Sequence, residues 1–368
     1  MPGRSVLVLV ALTACTSAPV GSTTRSDGGT ATTGPPSTSA PATAVSTTTA
    51  TTGSGPGTST STSTTLSPDD LTIEAFPVPA GSRPHDVAPA ADGGVWYTAQ
   101  GSGELGWLDP VTGEVRHIDL GAGSQPHGVI VDDGGTPWIT DGGLNAIVAV
   151  DPDTDEVTIY PLPDNAAAAN LNTAVFDNDG ILWFTGQDGI YGSLDPGDGD
   201  MDVYEAPRGI GPYGITATPG GAVFYASLAG SYVGAISVDG TATVLEPPTA
   251  SQGARRVWSD SSGSIWISEW NTGAVSRYEP DTQEWTTWPL PGDNPAAYAV
   301  YVDDQDIVWL SDFGANAMVR FDPSTEIFDV YPLPHDPGDV RQILGRPGEV
   351  WGAESAADHL VVIRTRVE

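Results

Sequence analysis

Short apolar runs recur along the chain, each ended by glycine or by an Asp-Pro pair. One stretch shows the unit clearly: GVIVDD (128–133), TPWITD (136–141), AIVAVD (146–151) and EVTIYPL (156–162). Runs of this length, rich in β-branched and aromatic residues and bounded by turn formers, predict four short β-strands rather than helices. The same unit returns in register. Its second strand carries a tryptophan at 96, 138, 183, 266, 309 and 351, and Phe224 fills the one gap. The spacings are 42, 45, 41, 42, 43 and 42 residues, a sevenfold internal repeat.

A repeat of about 42 residues holding four strands predicts an all-β fold, a seven-bladed β-propeller with four-stranded blades. The final unit, from Arg341, supplies only three strands before the chain stops at Glu368. LTIEAFPVP (71–79) matches the blade-ending pattern of IYPLP (159–163) and precedes the first complete unit. It is therefore expected to close the last blade, removing two exposed sheet edges. One domain, 69–368, accounts for all seven units.

In a propeller, the start of the innermost strand and the turn between the second and third strands share one mouth of the central channel. Counting back eleven residues from each aromatic reaches His85, His127, Asn172, Tyr213, Arg255 and Tyr298, with Arg341 in the last unit after a one-residue deletion. Core packing would not select such a ring, whereas a solvated funnel that binds a ligand would. Counting forward three reaches Ala99, Asp141, Gly186, Ser227, Glu269, Asp312 and Glu354. The carboxylates are candidate metal ligands. A plainer reading pairs Arg255 with Glu269 and Arg341 with Glu354, plugging the channel with ion pairs. His117, His335 and His359 are read as surface residues, and the blade tryptophans as wedges between sheets.

Composition narrows the partners. The formal charge is −34 from 47 acidic and 13 basic residues, and every basic residue is arginine. Such a surface repels nucleic-acid phosphates, so no nucleic-acid partner is expected. The first 15 residues have Arg4, an apolar core from Val6 to Leu12, and then Leu12-Thr13-Ala14-Cys15. The core is too short to span a bilayer and suits an export signal, and the last four residues resemble a bacterial lipobox that would lipidate Cys15. The alternative is a signal peptide with an incidental cysteine. Lipidation would place the protein outside the cytoplasm, anchored to the outer face of the membrane. Residues 16–68 are almost entirely Ser, Thr, Ala, Gly and Pro, a solvated tether with a reach of roughly 40 Å. A monomer is expected.

The unit P-H-G-V, W-I/F-T-D/E, N-A-I-V, Y-P-L-P resembles the virginiamycin B lyase family of streptogramin-inactivating propellers, and the likeness covers all seven repeats. The resemblance implies ring opening of a cyclic depsipeptide at its ester bond by β-elimination, with Mg²⁺ as cofactor. It implies His127 as general base and His85 as its positioning neighbour, and the other ring residues, Asn172, Tyr213, Arg255, Tyr298 and Arg341, are the candidates for binding the ligand in the funnel. For the metal it points to Gln125 and Asp141, with Glu269, Asp312 and Glu354 as further candidates. The sequence departs from the family at two of the metal positions: Gln125 stands where a glutamate is expected, and Gly142 where the second is. Two other readings stay open: a propeller that binds a peptide, glycan or envelope partner without turnover, and a gluconolactonase-like, metal-dependent lactonase using carboxylates and Asn172.

Overall fold

The computed structural model describes residues 64–367, leaving aside the Val367 side chain; the export signal, Cys15 and nearly all of the tether lie outside the described residues. Seven four-stranded antiparallel sheets follow one another, six of them in the order in which their strands occur and the seventh completed by the N-terminal strand. The innermost strands are Pro84–Pro89, Pro126–Val131, Leu171–Phe176, Pro212–Ala217, Ala254–Ser259, Ala297–Val302 and Val340–Arg346, for blades one to seven. Each packs against the next, and the seventh returns to the first, so the ring is closed.

Closure uses the N-terminal strand. Ile73–Pro77 pairs antiparallel with His359–Arg364, the third strand of blade seven, with Ile73 opposite Ile363 and Pro77 opposite His359. A second clasp, absent from the sequence expectation, pairs Thr64–Thr65 with Arg366–Val367. Segments from the two ends of the domain thus hold each other, and the N-terminal strand completes the last blade as its outermost strand.

The repeated tryptophans pack between neighbouring sheets. Trp96 lies in a cluster with Val129 and Ile139 of the next blade, and Trp351 in one with Val87 and Tyr97. Four of the six indoles share the same polar anchor. Trp138, Trp183, Trp266 and Trp309 donate their Nε1–H to Asp132, Asp177, Asp260 and Asp303, six residues earlier, at 2.8–2.9 Å. The other oxygen of each of these carboxylates caps backbone N–H groups of the turn between. A single aspartate therefore satisfies both a tight turn and a buried indole, which leaves the tryptophans structural.

Candidate functional site

In all seven blades the register between the innermost and second strands shifts at the funnel position, between Pro84 and Val87 in blade one and at the matching residues elsewhere. A bulge turns two successive side chains toward the same side, where regular alternation would turn one away. The residue after the ring position joins the channel in three blades, where Asp86, Thr173 and Arg256 meet, and Gln342 of blade seven accepts from the Val87 N–H of blade one at 3.0 Å. Counting back eleven residues to a single position per blade missed them. In blade two that residue is Gly128, and a Cβ there would lie 2.6 Å from the Asn172 carbonyl oxygen of the next blade.

Hydroxyls two residues past the blade aromatic fix the ring from behind. Thr98 donates to the His127 carbonyl at 2.8 Å, Thr140 to that of Asn172 at 2.6 Å, and Ser268 to that of Tyr298 at 2.6 Å. Thr185 makes the same bond to Tyr213. The same hydroxyl accepts a backbone N–H from its own blade's bulge, as Thr98 does from Asp86 at 3.0 Å. Each one satisfies two buried backbone groups and ties neighbouring blades together.

The structure brings His85 and His127 together. Their ring centroids are 3.9 Å apart at 46°, and the residues are only 4% and 8% exposed. His85 Nδ1 lies 2.7 Å from Asp86 Oδ1. His127 Nδ1 lies 3.0 Å from the Asn172 carbonyl oxygen. A carboxylate and a carbonyl can only accept here, so both rings carry their proton on Nδ1 and keep the Nε2 lone pair. The Asn172 amide nitrogen approaches His127 Nε2 at 3.3 Å, oriented by Thr173, which donates to Asn172 Oδ1 at 2.7 Å.

Behind the imidazoles, Arg256 of blade five reaches across the channel to Asp86 of blade one, at 3.2 and 3.5 Å, and also donates to Thr173. This buried ion pair crosses the pore. Burial first, then the charge of Arg256 and the neighbouring arginines, holds His85 well below its usual 6.5. His127 is held down by burial and by His85. Burial raises the Asp86 carboxyl, against the pull of Arg256. Both imidazoles are neutral at physiological pH and can accept a proton.

The opposite wall is aromatic and cationic. The Arg255 guanidinium carbon lies 3.4 Å from the Tyr298 ring centroid, 4.4 Å from Trp270 and 4.9 Å from Tyr213. Tyr213 and Tyr298 share a hydrogen bond at 2.5 Å, and Arg255 donates to the Tyr213 hydroxyl at 3.2 Å. Burial raises the Tyr213 phenol, but Arg255 and Arg256 outweigh it and hold it below 10, whereas burial and Tyr213 push Tyr298 up to about 12. Arg341 stands 5.9 Å from the Tyr298 ring.

The carboxylates three residues past the aromatics do not join this group. Asp141 is fully buried, accepting from Ser124 at 2.5 Å and from the backbone of Gln125, Gly143 and Leu144 at 2.9 Å. Gln125 itself is exposed. Glu269 accepts from Thr272 and Ser276, and Asp312 from the backbone of Ala296 and Gly314. Glu354 meets His335, not Arg341, and Arg255 rests on tyrosines instead of Glu269, so the ion-pair plug expected at those positions is replaced by the Asp86–Arg256 pair. Each of these four carboxylates bonds to segments of its own blade or the one leading into it.

This bears on Mg²⁺, a hard ion that takes oxygen ligands in octahedral geometry. The groups that converge at the funnel are two imidazoles and Asp86, whose carboxylate already serves His85 and Arg256. That donor set does not fit Mg²⁺.

The remaining histidines are more engaged than surface residues. His117 bonds Tyr97 Oη at 2.6 Å and Glu104 at 2.7 Å, and His335 lies against His359 with ring centroids 4.0 Å apart.

Known proteins place this architecture. A solved streptogramin B lyase superposes with a TM-score of 0.74 at 22% identity, over 80% of this chain and 97% of that one. Virginiamycin B lyase from Staphylococcus aureus gives 0.74 at 19%, over 80% and 99%. A catalytically inactive histidine-to-alanine variant of the Staphylococcus aureus enzyme with quinupristin gives 0.74 at 20%. At these identities the likeness shows the fold, and a WD40 propeller domain of Doa1 shares it at 0.66 and 12%. A comparison with curated protein sequences gives no match. The model of the Virginiamycin B lyase family matches residues 132–368, well over half of the sequence, and the chain belongs to that family.

Proposed function

We propose that the funnel binds a cyclic depsipeptide of the streptogramin B class and opens its ester by β-elimination. The observation that carries this is the pair of neutral imidazoles, both with Nε2 lone pairs, facing a wall of arginine and aromatic rings. An imidazole takes the proton alpha to the carbonyl. The C–H electrons form a C=C bond as the C–O bond breaks, and the leaving carboxylate departs with the electron pair. Arg255 and Arg341 sit where a new carboxylate would find positive charge, and Tyr298, Tyr213 and Trp270 offer faces for an apolar ring. Asp86 fixes the His85 ring through Nδ1 and His85 Nε2 has no hydrogen-bond partner among the described residues, whereas the Asn172 amide approaches His127 Nε2 at 3.3 Å, which makes His85 the base of the pair. His127, singled out by the P-H-G motif, would then position substrate from 3.9 Å away.

The test is to incubate the full chain with a streptogramin B, with and without Mg²⁺, and weigh the product. A linear product of unchanged mass supports elimination, and a gain of one water indicates hydrolysis. Unaltered but bound substrate supports the second reading, a binding propeller, which the low exposure of both histidines favours. The lactonase reading needs carboxylates at the funnel, and the four candidates turn away from it to segments of their own blades. Export and lipid attachment at Cys15 rest on Leu12-Thr13-Ala14-Cys15. Loss of membrane association in Cys15→Ala would support them.

A further inference from the structure

A second histidine cluster lies away from the channel, at the junction of blades six and seven. Glu354 ends the second strand of blade seven, Glu349–Glu354, and His359 opens the third, His359–Arg364; the two are direct partners in the ladder. Opposite residues of an antiparallel pair present their side chains on one face. His335 comes from the segment that joins the outer strand of blade six, Ile327–Pro332, to blade seven. One donor atom from each of the three lies within 4.8 Å of the others.

We infer that His335, Glu354 and His359 form a binding site for a divalent transition-metal ion of the zinc type. His335 Nδ1 lies 2.6 Å from Glu354 Oε2, and the two imidazole rings are 4.0 Å apart at 32°. His359 Nδ1 lies 2.8 Å from the Ala357 carbonyl oxygen, which can only accept. His359 Nε2 therefore holds the lone pair, and a backbone carbonyl on the far nitrogen is the usual support of a metal-bound histidine. The segment carrying His335 is also fixed: Asn316 donates to its carbonyl at 2.7 Å, and its N–H reaches Glu354 Oε1 at 3.3 Å.

Two imidazoles and one carboxylate suit Zn²⁺ in tetrahedral geometry with an open fourth position, whereas Mg²⁺ and Ca²⁺ prefer oxygen. Unlike Asp86, Glu354 faces no arginine among the described contacts, so its charge is available to a cation. Two neutral rings and one carboxylate would leave a charge of +1, which a chain of net charge −34 accommodates. His359 also stands opposite Pro77 of the closing strand, so the ion would clasp the exit of blade six to the sheet that seals the ring.

The experiment strips the full chain with a chelator and titrates Zn²⁺, with Mg²⁺ in parallel, reading stoichiometry, affinity and Tm. The expected result is one tightly bound Zn²⁺ that raises Tm. His335→Ala and His359→Gln should each weaken it by about 10²-fold or more. Both side chains are half-exposed, so the variants fold, and their circular dichroism without metal checks this. His85→Ala/His127→Ala and Cys15→Ser should keep the site. The proposal is overturned if stripped wild-type protein binds no Zn²⁺, if the His335→Ala/His359→Ala variant binds it unchanged, or if only the channel or Cys15 variants lose it. None of these readouts depends on turnover, so they stand whatever the funnel does.

Discussion

Two pairs of imidazoles in this propeller share almost the same geometry, with ring centroids 3.9 and 4.0 Å apart and a carboxylate 2.7 or 2.6 Å from an Nδ1. Their surroundings differ. Asp86 is gripped by Arg256, and His85 feels Arg256, Arg341, Arg255 and Arg83 through a buried site. Glu354 has no such competitor, and its histidines are half-exposed. Positive charge and burial keep the first pair unprotonated and hostile to a bound cation. The second pair has a carboxylate with no arginine beside it among the described contacts. The charges behind a histidine pair, more than the pair itself, decide which chemistry it can support.

The contrast can be broken in several ways. The largest effect is expected on turnover: His85→Ala should lower kcat/KM for a streptogramin B by about 10²–10⁴-fold, the usual contribution of a general base. If His127→Ala loses more than His85→Ala, the base is His127 and the carboxylate behind His85 is not what counts. Next comes the buried ion pair. Asp86→Ala leaves Arg256 charged and unpaired and should cost about 3–5 kcal/mol in urea unfolding, while adding Arg256→Leu should restore much of the loss.

Acid should separate the pairs as well. Because the central imidazoles sit below 6.5, their proton is bound more tightly by the unfolded chain. Their contribution to stability is full above 6.5 and is lost as pH falls from there toward the folded values. By the same sign, kcat/KM should stay flat through 6.5 and fall only at more acid pH. Double His85→Ala/His127→Ala should flatten the acid limb of stability.

A smaller change tests the blade staples. Thr98→Val leaves the His127 carbonyl and the Asp86 N–H without their shared hydroxyl and should cost about 1–3 kcal/mol. The smallest effect is expected from His359→Gln in metal-free protein, under about 1 kcal/mol, since the side chain is half-exposed; only added Zn²⁺ should distinguish it from wild type.

Much of this architecture was legible in the sequence, because blade number depends on local signals repeated seven times. The 42-residue spacing of Trp96, Trp138 and their successors, and the motif at 71–79, predicted a ring closed by the N-terminal strand; the strand itself runs Ile73–Pro77. The funnel was half legible. Counting from each tryptophan reached His85 and His127, which the structure brings together, but placed Asp141, Glu269, Asp312 and Glu354 beside them, whereas each turns to the segments of its own blade. His335 and His359 were read as isolated surface positions, since nothing in their spacing announces a contact with Glu354.

The sequence by itself determined the repeat, the strand pattern and the ring, because hydrophobic alternation and turn residues act over a few positions and need no distant partner. Only the tertiary structure decided what stands behind each histidine. A bulge at the mouth of every blade turns Asp86 and Arg256 inward, and closing the circle sets them 3.2 Å apart across 170 residues of sequence. Alternation cannot register a one-residue slip, and charge pairing across a pore follows from closure, not from spacing along the chain.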